Sequence, residues 1–370
     1  MKIKSFGSIC SGVGMQEMAI KRVFKDIEMK YFSEIDKYAI KSYQAIHGDI
    51  RNLGDFTQAT DIPYVDFVFA STPCQDFSVA GKQAGFEGMR GTLTFEWVKM
   101  LSKLKLENKL PKMIGFENVP AIMNKKFIDG FNIFKAQLEE LGYNLFVDRL
   151  NAKDYGIPQN RNRVFMIGFL EKVNFEFPEK FELELRLKDI LEEEVEEKFY
   201  LSEAQIKNIT NSTFCQNTRR IQKKDWCDTL CARDYKDPKC VAVAASRGRN
   251  PLDPSDRTKG SPTVQRLEIN RNRTSNCLTT VQKDNLVIEK YPIKIEIENL
   301  KHQSSTLRIR KLTPKECWRL MGIKDSDFEK AQELNSNSQL YKQAGNGIVV
   351  DVLEYIFREI KNKNRIKESE

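Results

Sequence analysis

The sequence has few histidines and no long apolar run. Only two histidines occur in 370 residues. No apolar stretch approaches the ~20 residues of a membrane-spanning helix, and the opening residues Met1 to Lys4 lack the apolar segment of a secretion signal. We therefore expect no membrane association and a cytoplasmic location.

The cysteines do not form a recognisable metal or disulfide pattern. Eight are spread irregularly along the chain, and the cytosol keeps such thiols reduced. Cys215, Cys227, Cys231 and Cys240 lie close together, but they include no CxxC pair and no histidine lies among them. Zinc sites typically need such spacing and ligands. We expect no metal site, and the sequence leaves the role of these four cysteines open.

The charge balance favours a polyanionic partner. The chain carries 60 Lys and Arg against 52 Asp and Glu, a formal net charge of +8. Much of the clustered basic charge lies between residues 219 and 273, after an acidic stretch at 192–197. A surplus of this size is also common in soluble proteins, so the charge alone supports nucleic acid binding without establishing it.

The N-terminal segment has the pattern of a nucleotide-binding unit. A predicted strand (2–10) leads to the glycine turn Ser11–Gly14, where backbone amides can approach a ligand, and then to a predicted helix. A second predicted strand, 29–35, presents Glu34 about 20 residues after the glycines, where a carboxylate commonly holds ribose hydroxyls. Glu17 occupies the place of the third glycine of a dinucleotide fingerprint, which disfavours an NAD enzyme.

Cys74 follows a predicted buried strand, 65–70. Pro73 cannot extend the strand pairing, and open α/β sheets place their chemistry at the carboxyl ends of strands. A cysteine there is either a nucleophile or a small buried hydrophobic residue, and the motif alone leaves both open. The glycine-rich stretch 79–92 that follows is a candidate lid.

Two later segments add charged side chains near strand ends. Glu117 ends a predicted strand, 112–119. Gln159, Arg161 and Arg163 occupy alternate positions before an apolar run, so in an extended chain their side chains point the same way. A solvated strand start would have the same pattern, but we favour a site because the next residues are apolar.

The alternation of strands and helices up to residue 169 predicts an α/β fold with a doubly wound, mostly parallel, Rossmann-like sheet. The region 200–300 has short β-like runs and basic segments suited to phosphates and base edges, which predicts a smaller, irregular, β-rich domain. A second GxG turn, at 345–347, suggests that the C-terminus returns to the first domain. We predict domains at 1–185, 186–335 and 336–370.

In their order along the chain, six motifs resemble those of the DNA cytosine-5 methyltransferases. They extend over both ends of the sequence and leave the stretch between the arginine motif and the Leu-Thr-Pro helix as the counterpart of the target recognition domain. The motifs are Ser11–Gly14, Pro73–Gln75, Glu117–Val119, Gln159–Arg163, Arg310–Glu316 and Gln343–Gly347.

The resemblance implies an S-adenosylmethionine-dependent enzyme that flips a cytosine out of double-stranded DNA. Cys74 would add to carbon 6 of the ring and Glu117 would hold ring nitrogen 3. Arg163 would contact the flipped base and Arg161 the loop or a phosphate. Cys10 stands where the family usually has Phe, so we expect Ile35 to supply more of the packing against adenine.

The resemblance also implies the binding residues. For the cofactor they are Ser11, Gly12, Val13, Gly14, Glu34, Ile35, Asp49, Ile50, Pro73, Asn346, Gly347 and Ile348. For DNA they are Gln75, Ser78, Gly81 and Gln159. The basic character of their own segments, and not the resemblance, adds Arg247, Arg249, Arg271 and Arg273 as DNA contacts.

Two readings of the same fold remain as alternatives: a tRNA cytosine-5 methyltransferase and a catalytically silent DNA-binding relative. We expect a monomer acting near the nucleoid of a bacterial or phage-infected cell, and the sequence leaves open whether a cognate restriction endonuclease is its functional partner. The sequence does not identify the DNA recognition sequence.

Overall fold

The structure of the protein is a computed structural model. It describes residues 2–73, 92–202, 204, 242–249, 264–270, 275–276, 278, 286–293 and 304–366.

A seven-stranded sheet forms the centre of the protein. Its strands are β1 (Ser5–Ile9), β2 (Glu28–Ser33), β3 (Arg51–Asn52), β4 (Phe67–Ala70), β5 (Met113–Asn118), β6 (Asn144–Asn151) and β8 (Asn162–Phe169). The short strand β7 (Gln159–Asn160) lies outside this sheet. The strand order is β3-β2-β1-β4-β5-β8-β6.

The sheet is mostly parallel, which confirms the predicted fold class. Strands β3, β2, β1, β4 and β5 pair in parallel, whereas β8 is antiparallel to both β5 and β6. The chain runs outward from β1 to β3 and then returns to β4 beside β1. This reversal between β1 and β4 is the switch point at which open α/β sheets bind their ligands.

Alternate residues of the strands enter two separate cores. On β4, Phe67 and Phe69 belong to one apolar cluster, while Val68 and Ala70 belong to the other. Successive side chains of a strand point to opposite faces, so both faces of the sheet are covered. The apolar run in the sequence is therefore the signature of a strand buried on two sides.

Helices cover both faces of this sheet. In the described part of the chain, every helix is too short or too polar to cross a membrane. The helices are α1 (Met15–Val23), α2 (Lys37–His47), α3 (Thr92–Leu106), α4 (Ile128–Glu140), α5 (Pro314–Arg319), α6 (Asp325–Gln332), α7 (Asn337–Asn346) and α8 (Val350–Ile366).

Four strands between residues 242 and 311 form a second, antiparallel sheet. Its order is β10-β9-β12-β13. The strands are β9 (Ala242–Arg249), β10 (Val264–Asn270), β12 (Leu286–Ile293) and β13 (Ser304–Lys311), and β11 (Ser275–Asn276) pairs in parallel with β7.

The C-terminal helices pack on the first sheet. Apolar residues of α5, α6 and α8 share one cluster with Met15 and Ile20 of α1. The backbone N–H of Val350 donates to the carbonyl of Met321, 2.9 Å away, and so joins α8 to the segment after α5. The predicted domain boundary at residue 335 stays a prediction, and this core continues across it.

A buried ion pair holds the start of this C-terminal region. The guanidinium of Arg310 donates two hydrogen bonds to the carboxylate of Glu316, at 2.8 and 2.9 Å, and both side chains are fully buried. The same carboxylate accepts the backbone N–H groups of Thr313 and Glu192. The pair therefore joins three segments: β13, the N-terminus of α5 and the backbone at Glu192.

Replacing Arg310 by Met is expected to destabilise the protein by about 3–5 kcal/mol, because it leaves the Glu316 carboxylate buried without its counter-charge. Chemical denaturation would measure this loss. The control is Arg358→Met, which removes a 55% exposed side chain from its pair with Glu354, a contact worth less than about 1 kcal/mol. Equal losses in the two variants would contradict the importance of the buried pair.

Candidate active site

Polar side chains and tight turns converge where the parallel strands end. One group lies after β1, β2 and β3, and a second lies at the ends of β4 and β5 beside the start of β8.

The glycine turn between β1 and α1 has a left-handed backbone at both glycines, with φ of +59° at Gly12 and +82° at Gly14. A Cβ at Gly14 would lie 2.3 Å from the Nε2 atom of His47, whereas a Cβ at Gly12 would meet open space. Only glycine therefore suits the turn, and its surface at Gly12 is free to receive a ligand.

Glu34 is bound to this turn. Its Oε2 accepts the backbone N–H of Gly12 at 2.8 Å, and its Oε1 accepts the N–H groups of Ile35 and Asp36. Each carboxylate oxygen can accept more than one hydrogen bond, so Oε2 keeps capacity for a ligand hydroxyl. The side chain of Ile35 is 75% exposed beside it, an apolar surface next to a fixed carboxylate.

Asn52, which the sequence analysis missed, fixes the backbone of Glu34. Its Oδ1 accepts the N–H of Glu34 at 3.2 Å and its Nδ2 donates to the carbonyl of Glu34 at 3.0 Å. Asp49 is exposed and Ile50 half-buried just before β3. No strand was predicted at Asn52, so no local pattern marked this residue.

Arg161 does not face the solvent. Its guanidinium donates to the carbonyl oxygens of Gly345 and Gly347 at 3.0 and 2.6 Å, and to that of Leu278 at 3.0 Å. The side chain is only 3% exposed. The described contacts join the turn before Ile348 to the segment that leads into the second sheet. The predicted contact of Arg161 with the loop or a phosphate stays a prediction.

Gln159, which was predicted to contact DNA, has its side chain inside the protein. It is fully buried, its Nε2 donates to the carbonyl of Leu320 at 2.7 Å, and its Oε1 accepts the N–H of Leu278 at 3.0 Å. Both ends of the amide are therefore used inside the protein. Arg161 also separates strand β7 from strand β8. The three alternate side chains therefore do not lie on one continuous strand.

Glu117 and Arg163 form a nearly buried pair. The Nε of Arg163 lies 3.0 Å from Oε1 of Glu117, and the carboxyl residue is 8% exposed. Burial raises the pKa of Glu117 above its usual value, and the charges of Arg163 and Arg161 oppose that shift. A carboxyl group in this setting holds a proton more readily than a solvated one, so it can donate a hydrogen bond.

The end of β4 is tied to the end of β5. Nδ2 of Asn118 donates to the carbonyl of Thr72 at 3.3 Å, which sets Thr72 beside the Glu117 strand. Pro73 comes next, and with it the described segment ends.

Several predicted residues lie outside the described part of the chain. Of the predicted DNA contacts, Arg247 and Arg249 lie within the described part, on strand β9. Those outside the described residues are Cys74, Gln75, Ser78, Gly81, Arg271 and Arg273, together with Cys215, Cys227, Cys231 and Cys240.

Within the ranges that the structure describes, no group of three or more His, Cys, Asp or Glu side chains is arranged to hold a metal ion. The thiols of Cys10 and Cys317 are both free, and burial raises the pKa of each. Neither is therefore disposed to act as a thiolate near neutral pH.

Comparison with known proteins gives consistent matches over nearly the whole chain. Residues 4–362 match the family model described as C-5 cytosine-specific DNA methylase. The orphan methyltransferase M.SPRI of Bacillus phage SPR is 31% identical and covers 98% of both chains. The type II methyltransferase M2.ScrFI of Lactococcus lactis subsp. cremoris is 34% identical, over 88% of this chain and 73% of its own.

A solved structure shares the fold. The methyltransferase EhMeth of Entamoeba histolytica superposes with a TM-score of 0.63 at 16% identity, over 98% of this chain and 99% of its own.

Proposed function

The chain belongs to the C-5 cytosine-specific DNA methylase family, and on this premise we propose that it methylates carbon 5 of cytosine within a specific double-stranded DNA sequence, with S-adenosylmethionine as methyl donor. The observation that carries the proposal is the Glu117–Arg163 pair, held by Asn118 next to the strand end that precedes Cys74. The three groups suit a cytosine ring that must be activated before it can be methylated.

Carbon 5 of cytosine is a weak nucleophile, so the enzyme must first make the ring electron-rich. The Cys74 thiolate adds to carbon 6 and forms a covalent bond. Protonated Glu117 donates a hydrogen bond to ring nitrogen 3 and offsets the charge that develops there. Arg163, bound to Glu117, orients that carboxyl group and contacts the base. Once carbon 5 has received its methyl group, loss of its proton to solvent restores the double bond between carbons 5 and 6 and expels Cys74 as the thiolate.

The residues of the first group fit an adenosyl cofactor. Glu34 has an acceptor oxygen next to the open surface above Gly12, which suits ribose hydroxyls, and exposed Ile35 offers an apolar face to adenine. Asp49 accepts a hydrogen bond from the adenine amino group. When bound, S-adenosylmethionine supplies the methyl group that carbon 5 receives.

The remaining cofactor residues complete the same pocket. They lie in the turn after β1, directly before β3, after β4 and at the junction of α7 and α8. They are Ser11, Val13, Gly14, Ile50, Pro73, Asn346, Gly347 and Ile348.

A cytosine inside a duplex cannot reach these groups, so the target base must be flipped out at a cost of a few kcal/mol of unstacking. The glycine-rich stretch after Ser78 closes over the flipped base. Basic residues of the recognition region grip phosphates and base edges. The DNA-contacting residues are Gln75, Ser78, Gly81, Arg247, Arg249, Arg271 and Arg273.

The cellular role we propose is protection of bacterial or phage DNA, because the relatives include both an orphan phage methyltransferase and a bacterial type II methyltransferase. The protein acts as a monomer in the cytoplasm, near the nucleoid. A cognate endonuclease is its functional partner where one is present.

An assay with purified protein and methyl-labelled S-adenosylmethionine tests the function. We expect label in double-stranded DNA and none above background in tRNA, and sequencing of methylated bases in DNA from expressing cells should show one recurrent site. Label in tRNA alone would establish the tRNA alternative. Label in neither, with DNA binding retained, would identify a silent relative.

A further inference from the structure

Glu17 is a buried carboxyl group directly behind the glycine turn that the proposed mechanism does not use. It lies in the third residue of α1 and is fully buried. Its Oε1 accepts hydrogen bonds from the hydroxyls of Ser8 and, at 3.0 Å, Tyr43. Its Oε2 has no hydrogen-bond partner among the described residues. A group this costly to bury calls for an explanation.

A chain of hydroxyls connects Glu17 to the cofactor pocket. Oγ of Ser8 lies 2.6 Å from Oγ of Ser11, the first residue of the glycine turn. Oγ of Ser11 in turn lies 3.3 Å from both the N–H and the carbonyl oxygen of Ser33. Ser33 precedes Glu34, whose carboxylate holds Gly12. The chain therefore runs from Glu17 to the group proposed to hold ribose.

The ionisation state of Glu17 determines which group donates and which accepts at each hydrogen bond of this series. Each serine hydroxyl has one hydrogen. When Glu17 is ionised, Ser8 must donate to it, so Ser11 donates to Ser8 and is left to accept the N–H of Ser33. When Glu17 is protonated it can donate to Ser8, and the hydrogen of Ser11 is free to turn to the carbonyl of Ser33. The ionised form thus gives the turn one fixed arrangement.

We propose that Glu17 is a positioning residue for the cofactor, acting through Ser8 and Ser11 on the glycine turn and Glu34, and that its ionised form favours the binding of S-adenosylmethionine. The inference rests on the proposed function, because it assumes that cofactor. The sulfonium group is positive, so a buried negative charge behind the turn also favours the bound state electrostatically.

The charges around Glu17 are compatible with titration near neutral pH. Burial raises the pKa of Glu17 to about 7, and the hydroxyls of Ser8 and Tyr43 oppose the shift. Of the groups facing it, Lys21 on α1 favours the ionised form. On α2, burial raises the pKa of Tyr43 and lowers that of His47 to about 3, so both stay neutral. Glu17 is therefore protonated below this range and ionised above it.

Calorimetric titration with S-adenosylmethionine, without DNA, tests the proposal between about pH 6 and about pH 8. We expect the wild-type affinity to rise about 3- to 5-fold across this interval, the range that a fall of up to about one pKa unit on binding allows. Glu17→Gln should bind with little pH dependence, and the exposed control Glu139→Gln should behave as wild type.

A second variant keeps the test decisive if Glu17→Gln folds poorly. Tyr43→Phe retains the ring stacked on Phe32 at 3.7 Å but removes one hydrogen bond that favours ionised Glu17. The midpoint of the pH dependence should therefore move to higher pH. An unchanged pH profile in both variants would overturn the role of Glu17, whereas wild-type protein that binds no S-adenosylmethionine at any pH would overturn the proposed function itself.

Discussion

The Cys74→Ser variant is expected to lose methyl transfer by about 10⁴-fold or more while its DNA binding stays measurable. The proposed reaction begins with a thiolate adding to carbon 6, and a serine hydroxyl remains protonated near neutral pH. The substitution changes one atom and removes neither the cofactor residues nor the basic recognition region. The loss should therefore fall on the chemical step.

Single-turnover incorporation of a labelled methyl group, with DNA affinity measured in parallel, would check this. The matched control is Cys317→Ala, a buried cysteine of the C-terminal core. That variant should lose some stability and keep its rate constant. Full turnover by Cys74→Ser would show that another group, or no covalent step, activates the base.

Glu117→Gln is expected to lower kcat by about 10²- to 10³-fold with a smaller change in KM, as for a group that supplies a proton or hydrogen bond in the transition state. Burial raises the pKa of Glu117, so the protonated form persists to higher pH than for a solvated carboxyl group. Activity that needs this form is lost as the pH rises through that pKa. Gln cannot ionise, so the alkaline decline due to Glu117 should vanish in the variant.

The control for this measurement is Glu140→Gln, the same change at an exposed position on α4. Its pH–rate profile should match that of the wild-type protein. An unchanged kcat in Glu117→Gln, or an alkaline limb identical to the wild type, would remove Glu117 from the reaction.

Sequence patterns predicted the sheet and the strand ends because both depend on local properties. The apolar run at 67–70 showed a strand buried on both sides, and the structure places its alternate residues in two cores. Glu34 directly follows β2, and Glu117 is the last residue but one of β5. The family assignment is confirmed by the match over residues 4–362.

Contacts between distant segments were not predictable from local pattern. Arg161 binds carbonyl oxygens of Gly345 and Gly347, which follow it by more than 180 residues. The alternation at 159–163 suggested a row of side chains facing a site, but Gln159 lies inside the protein. Nothing local in the sequence shows that Leu278 and Leu320 meet its amide. Glu17 drew notice as a missing glycine, and its buried hydroxyl partners became visible only in three dimensions.

Trapping on DNA that contains 5-fluorocytosine at the target position tests the central claim most directly. Fluorine at carbon 5 cannot leave as a proton does, so an enzyme bonded through sulfur to carbon 6 stays attached after methyl transfer. With S-adenosylmethionine present, we predict a complex of the wild-type protein and DNA that survives denaturing electrophoresis and is absent with Cys74→Ser. A denaturation-resistant complex formed by Cys74→Ser, or none formed by wild-type protein that methylates ordinary DNA, would contradict the account.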